Sequence, residues 1–125
     1  MGSYSLKLTD FLPQFTVELR EILRIAGEVD LATQLSSAEV LSCSYDTECE
    51  AGYIKLESAQ TLNVDELNVI TVRHGRTIPV EHPYWLNIDT DNFNRVIGIE
   101  LLDAPSLAIK LATYNPSHYT QVPLY

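Results

Sequence analysis

Positive charge is scarce in this chain: eight lysines and arginines face seventeen aspartates and glutamates in 125 residues, a formal net charge of −9. A binder of phosphate backbones draws its affinity from clustered Lys and Arg, so nucleic acid is excluded as the expected partner. The same field favours a basic protein or a cation. Long hydrophobic runs are also missing. No apolar stretch approaches the roughly 18 to 20 residues of a membrane-spanning helix, and the first ten residues lack a basic region followed by an apolar one. The expectation is a cytoplasmic protein with no membrane partner. Cysteine is sparse, with Cys43 and Cys49 six positions apart, and without export both are expected as free thiols. Zinc would need two more ligands, and only His74 and His82 are near in sequence, with no second tight pair. The phosphate-binding glycine loop, the dinucleotide fingerprint, the nucleophile elbow and the His-Glu-x-x-His helix are all absent. The sequence therefore assigns no catalytic residue, no metal and no cofactor.

What is present is an ordinary globular composition, 46% hydrophobic, with enough length for one core. Residues 1–125 read as a single domain. Over residues 8–36 the pattern is helical. Asp10 is expected as an N-cap and Pro13 lies early enough for the first turn. Leu12, Phe15, Leu19, Ile22, Leu23 and Ala26 recur at steps of three or four and make one apolar stripe. Glu21 and Arg24 form an i, i+3 pair off that stripe, and Gly27 supplies a left-handed stop. A second helix carries Val29, Leu31, Ala32 and Leu35 and ends at Ser36-Ser37, so the segment reads as a helical hairpin. A DNA-reading version would need cations on the second helix, and there are none between Glu28 and Ser37.

From Glu39 to about residue 105 the period changes to two. Val40–Tyr45 and Ala51–Leu56 read as strands joined through Asp46-Thr47-Glu48, and Leu67–Arg73 reads as a third, ending at a His74-Gly75 turn. Thr77–Val80 is a short extended piece that Pro79 confines to an edge or a strand end. Tyr84–Ile88 and Val96–Leu102 are the last two strands, separated by the turn-formers Asp89 to Arg95. Beyond them, Asp103 or Ala104 opens a short helix to Ala112, followed by a tail to Tyr125, which makes residues 106–125 the closing helix and tail. Helices first and strands after give an α+β fold, a helical hairpin packed on a small antiparallel sheet.

Two blocks in the β region carry a resemblance. Tyr45-Asp46 followed by Glu50-Ala51-Gly52-Tyr53-Ile54 resembles the opening of a small bacterial family, domain of unknown function 2283. Asp89 to Asn94, followed by Gly98-Ile99-Glu100-Leu101-Leu102-Asp103-Ala104, is similar to that family's closing signature, an aspartate-rich hairpin turn and a Gly-Ile-Glu-x-Leu-Asp-Ala strand. The resemblance covers about residues 43–105. Asn94 stands where the family has a turn glycine, and Asn is the next best residue for a left-handed position. Glu50 replaces the usual Asp. The family has no established activity; the resemblance implies a bacterial source and, for some members, partnership with small toxin-like proteins.

Asp89, Asp91 and Glu100 have the spacing of the first, third and twelfth positions of a calcium-binding loop, but Phe93 and Asn94 fill the fifth and sixth, where an oxygen ligand and a glycine belong. A hairpin turn whose aspartates cap backbone amides is the preferred reading. Glu100 lies opposite in facing to Ile99 and Leu101 and shares its face with Gly98, which leaves a gap beside a carboxylate. If Leu86 and Ile88 point inward, Trp85 points outward, and an exposed tryptophan is a favoured interface anchor. Asp46, Glu48, Glu50, Trp85 and Glu100 are therefore the partner-binding candidates. The leading expectation is a non-enzymatic module that binds a basic protein, as an antitoxin or immunity protein does. The alternative is a ligand-binding or catalytic cleft between helices and sheet, gathering Glu81, His82 and Glu100 or the cysteine pair. A homodimer through the edge near Thr77–Val80 is compatible with either.

Overall fold

The computed structural model describes residues 6–46, 48, 51–58, 72–82 and 84–103. Leu12 precedes Pro13, whose ring disfavours helical geometry one residue back, and Leu12 sits at φ −134°, ψ 72°. That break divides the first helix into α1 (Leu8–Phe11) and α2 (Pro13–Ile25). Pro13 occupies the first turn of α2, where a missing N–H leaves nothing unpaired. Asp10 is consequently inside α1 and is not the expected N-cap; Leu12 caps α2, without a side-chain bond. Thr16 bridges the break, its hydroxyl donating to the Leu12 carbonyl at 2.7 Å. Phe15, Leu19 and Leu23 are buried along the stripe, whereas Ala26 is exposed beyond its end. Gly27 does adopt the left-handed conformation, at φ +87°, and α3 (Val29–Leu35) follows, with Leu31, Ala32 and Leu35 inward and Val29 outward.

The rest is a six-stranded sheet made of β1 (Leu6–Lys7), β2 (Glu39–Asp46), β3 (Ala51–Glu57), β4 (His74–Val80), β5 (Trp85–Asp91) and β6 (Val96–Asp103). Its spatial order is β1-β2-β3-β6-β5-β4 and every neighbouring pair is antiparallel. The fold is α+β with an antiparallel sheet, as the pattern predicts. β1 is too short to leave a period in the sequence. His74-Gly75 is a correction: the pair belongs to β4 and is not a turn. A Cβ on Gly75 would lie 2.1 Å from the Asp91 carbonyl oxygen, so glycine is there for a close backbone approach, next to a register shift between His74 and Thr77. Of the expected strand Leu67–Arg73, only Val72 and Arg73 are among the described residues, and neither is in a strand. Asp103 ends β6. The expected C-terminal helix and tail beyond it lie outside the described residues.

One face of the sheet meets the helices. Val40, Cys43, Ile54, Leu56, Val80, Leu86, Ile88, Ile99 and Leu101 share a single buried cluster with Leu8, Phe15, Leu19, Leu23, Leu31 and Leu35. Each such aliphatic side chain contributes about 1.5–3 kcal/mol by leaving water. Polar staples fix the layers to each other. Gln34 of α3 accepts from the Val96 amide at 2.9 Å and donates to the Asn94 carbonyl at 2.8 Å. Arg76 of β4 donates to both carboxylate oxygens of Glu28, at 3.1 and 3.0 Å, and this holds the Glu28 carboxyl below its usual range. Tyr84 packs edge-on to Phe15 and donates to Glu18 at 2.6 Å.

Candidate functional site

With one face turned to the helices, strand alternation puts the other residues on the opposite, outer face, and the register arranges them in rows. One row runs Ser44, Tyr53, Glu100, Asn87, Pro79 across β2, β3, β6, β5 and β4. The next runs Ser42, Lys55, Gly98, Asp89, Thr77. Trp85 begins β5 on this face and Asp46 ends β2 on it.

Gly98 determines how the two rows interact. A Cβ there would lie 1.8 Å from the Tyr53 hydroxyl oxygen, so the phenol crosses the strand where glycine leaves space. Having crossed, Tyr53 donates to Asp89 Oδ2 at 3.3 Å. Thr77 donates to Asp89 Oδ1 at 2.9 Å, and His74 Nε2 lies 3.0 Å from the Thr77 hydroxyl and 3.8 Å from Asp89. Burial, the charge and hydrogen bond of Asp89, and the charge of Glu100 push the Tyr53 hydroxyl up to about 12. The phenol therefore stays neutral and a donor at physiological pH, and the field around it is negative.

Asp89 is thus engaged on both oxygens. Glu100 is not: Asn87 Nδ2 donates to its Oε1 at 3.1 Å, and among the described residues nothing pairs with the second oxygen. Trp85 is 55% exposed, and its indole makes no ring contact or hydrogen bond with the described residues. Lys55, on the same face, forms no ion pair among them.

The candidates from sequence divide accordingly. Trp85 and Glu100 come to one face, on adjacent strands. Asp46 is exposed at the far end of β2, where its Oδ1 accepts from the Glu48 amide at 2.9 Å in a local turn, and Glu48 is exposed beside it. Glu50 lies outside the described residues. The calcium-like trio is parted. Asp91 is buried, with its Oδ1 accepting from the amides of Phe93 and Arg95 at 2.9 Å each and its Oδ2 from Arg95 Nε at 2.7 Å. It shapes the β5–β6 turn, in which Asn94 takes φ 63°. Among the described residues no three His, Cys, Asp or Glu side chains group as a metal site, and no helix is long and apolar enough to cross a membrane. Among the described residues the side chains of the cleft alternative do not converge, and Cys49 lies outside those residues. Glu100 faces away from the helices, Glu81 and His82 are exposed between β4 and β5, and Cys43 is a buried free thiol that burial pushes up to about 12.

Tyr53, Asn87, Thr77 and His74 join the site only through the structure. Gly98 inside an apolar strand signals that something approaches closely, but it does not say which side chain. Comparison with protein-family models, curated proteins and solved structures finds no match for this chain.

Proposed function

We propose that this chain is a non-enzymatic interaction module that binds a basic protein partner through the outer face of its sheet, in the manner of an antitoxin or immunity protein. The observation that carries the reading is an exposed Trp85 on the same sheet face as Glu100, a carboxylate with one oxygen open among the described residues, on a chain with seventeen acids and eight bases. Tryptophan supplies apolar contact area at low entropic cost, and the surplus negative charge speeds encounter with a cationic surface. Asp46 and Glu48 extend the acidic surface at the β2 end of the same sheet, and Glu50 follows them in sequence. The resemblance of residues 43–105 to the domain of unknown function 2283 family, some of whose members partner small toxin-like proteins, supports the same reading, and a bacterial, cytoplasmic setting is part of the proposal.

The test is co-expression with the product of the adjacent gene, followed by calorimetry of any complex at low and high salt. The expected result is a stoichiometric complex with a basic protein whose affinity falls as salt rises. A partner that is acidic, or no complex with the neighbour, removes the reading.

A further inference from the structure

We infer that the outer sheet face is a receptor for an arginine side chain, with the guanidinium on Glu100 and the methylene stem along Trp85. The inference rests on the basic-partner reading and names the chemistry that reading requires.

The spacing comes from the strand. Trp85 and Asn87 are two residues apart on one face of β5, about 7 Å along the chain, and Asn87 stands opposite Glu100. A long side chain can lie over the indole and end on the carboxylate, burying its stem on the ring while its charged head stays hydrated. Donor and acceptor inventories then select the head. Asn87 spends one of its two Nδ2 hydrogens on Glu100 and keeps its amide oxygen open, and Glu100 presents its second oxygen. Both oxygens are acceptors. A guanidinium has five donors, no acceptor and a planar face that stacks on aromatic rings. An ammonium matches the charge but neither the fork nor the stacking.

The neighbours argue against other occupants. Asp89 is spent on Tyr53 and Thr77, with His74 beside it, so it does not compete for the incoming cation. The same residue, with Glu100, puts two carboxylates on this face and makes it hostile to an anion. A calcium ion wants six to eight oxygens, and two open acceptors are too few. Lys55, on the same face, forms no ion pair among the described residues and does not hold Glu100 against an incoming arginine.

Trp85 is the single tryptophan of the chain, so its emission reads this site alone. Tetra-arginine, tetra-lysine and tetra-citrulline peptides are titrated into the full chain at low salt. Glu100→Gln and, as a control on the same sheet, Asp46→Asn are titrated alongside, with circular dichroism to confirm folding. The expected result is a saturable change with tetra-arginine, weaker binding of tetra-lysine and no response to tetra-citrulline. Glu100→Gln weakens tetra-arginine by about tenfold, which is the loss of one charged hydrogen-bonded contact, and Asp46→Asn changes it little. Equal binding by the wild type and Glu100→Gln, or an equal response to citrulline, overturns the inference. If tetra-arginine is weakened only by Asp46→Asn, the arginine site is lost while the basic-partner reading stands. If neither cationic peptide binds although the adjacent gene product does, the arginine site again falls alone.

Discussion

Tyr53 and Gly98 are complementary across two strands: the phenol of β3 occupies the volume that any side chain on residue 98 would fill, and through that gap it donates to Asp89 at 3.3 Å. The consequence is a sheet face whose central acids differ in state, Asp89 fully bonded and Glu100 half open.

Gly98→Ala should therefore expel the Tyr53 ring. The hydroxyl is the far end of a side chain and can swing outward, so the cost is the lost Asp89 contact and imperfect repacking, about 1–2 kcal/mol. Urea denaturation measures it, and the same substitution made on a Tyr53→Ala background should cost much less. Equal costs in both backgrounds would show that Tyr53 is not what the glycine accommodates.

Gln34 is buried and uses both ends of its amide. Its oxygen accepts from Val96 N and from Ser58 Oγ, at 2.9 Å each, and its nitrogen donates to Asn94 O and Asp30 Oδ2. Gln34→Met keeps the volume but leaves the Val96 amide and the Asn94 carbonyl without their partner. A loss of about 2–4 kcal/mol is expected, from buried groups deprived of hydrogen bonds. The thermal midpoint should drop, and amide exchange should quicken at Val96 first.

Alkaline pH should destabilise the fold before it would a chain of free tyrosines. Tyr53 is raised from 10.0 to about 12, mainly by burial, and Tyr84 to the same value, mainly by its bond to Glu18. Cys43 is raised from 9.0 to about 12 by burial. In each case the unfolded chain releases its proton first. The contribution is complete below about pH 9 and is lost as pH climbs through 9 to 12. Urea midpoints measured from pH 8 to 11 should fall, Tyr53→Phe should flatten part of the slope, and tyrosinate absorbance should show a late-ionising component that shrinks in Tyr53→Phe and Tyr84→Phe.

Among the described residues β4 is the last strand on one side of the sheet, and Pro79 within it has no N–H. A further strand laid along that edge would meet a missing donor, a common guard against edge-to-edge pairing. Pro79→Thr should raise self-association at high concentration relative to the wild type, as measured by light scattering after size exclusion. A wild type that dimerises as readily as the variant would show that this edge is not guarded by the proline.

Local chemistry made several features readable from the sequence. Pro13 dictates a helix start, and the same ring explains the break at Leu12 that makes Asp10 an interior residue. Gly27 and Asn94 mark left-handed positions, Pro79 marks an edge, and inward Leu86 and Ile88 put Trp85 outside. Alternation also gave Gly98 and Glu100 a common face. These are properties of a residue and its immediate neighbours, which is why period and turn chemistry suffice. Strand order is not such a property. β6 sits between β3 and β5, and only that insertion sets Tyr53 beside Glu100 and lets its ring cross Gly98 to reach Asp89. Pairing between strands so distant in the chain depends on fitting the whole buried face at once. The sequence by itself therefore supplied the acids and the tryptophan of this surface, and the tertiary structure decided which acid is already bonded and which is open.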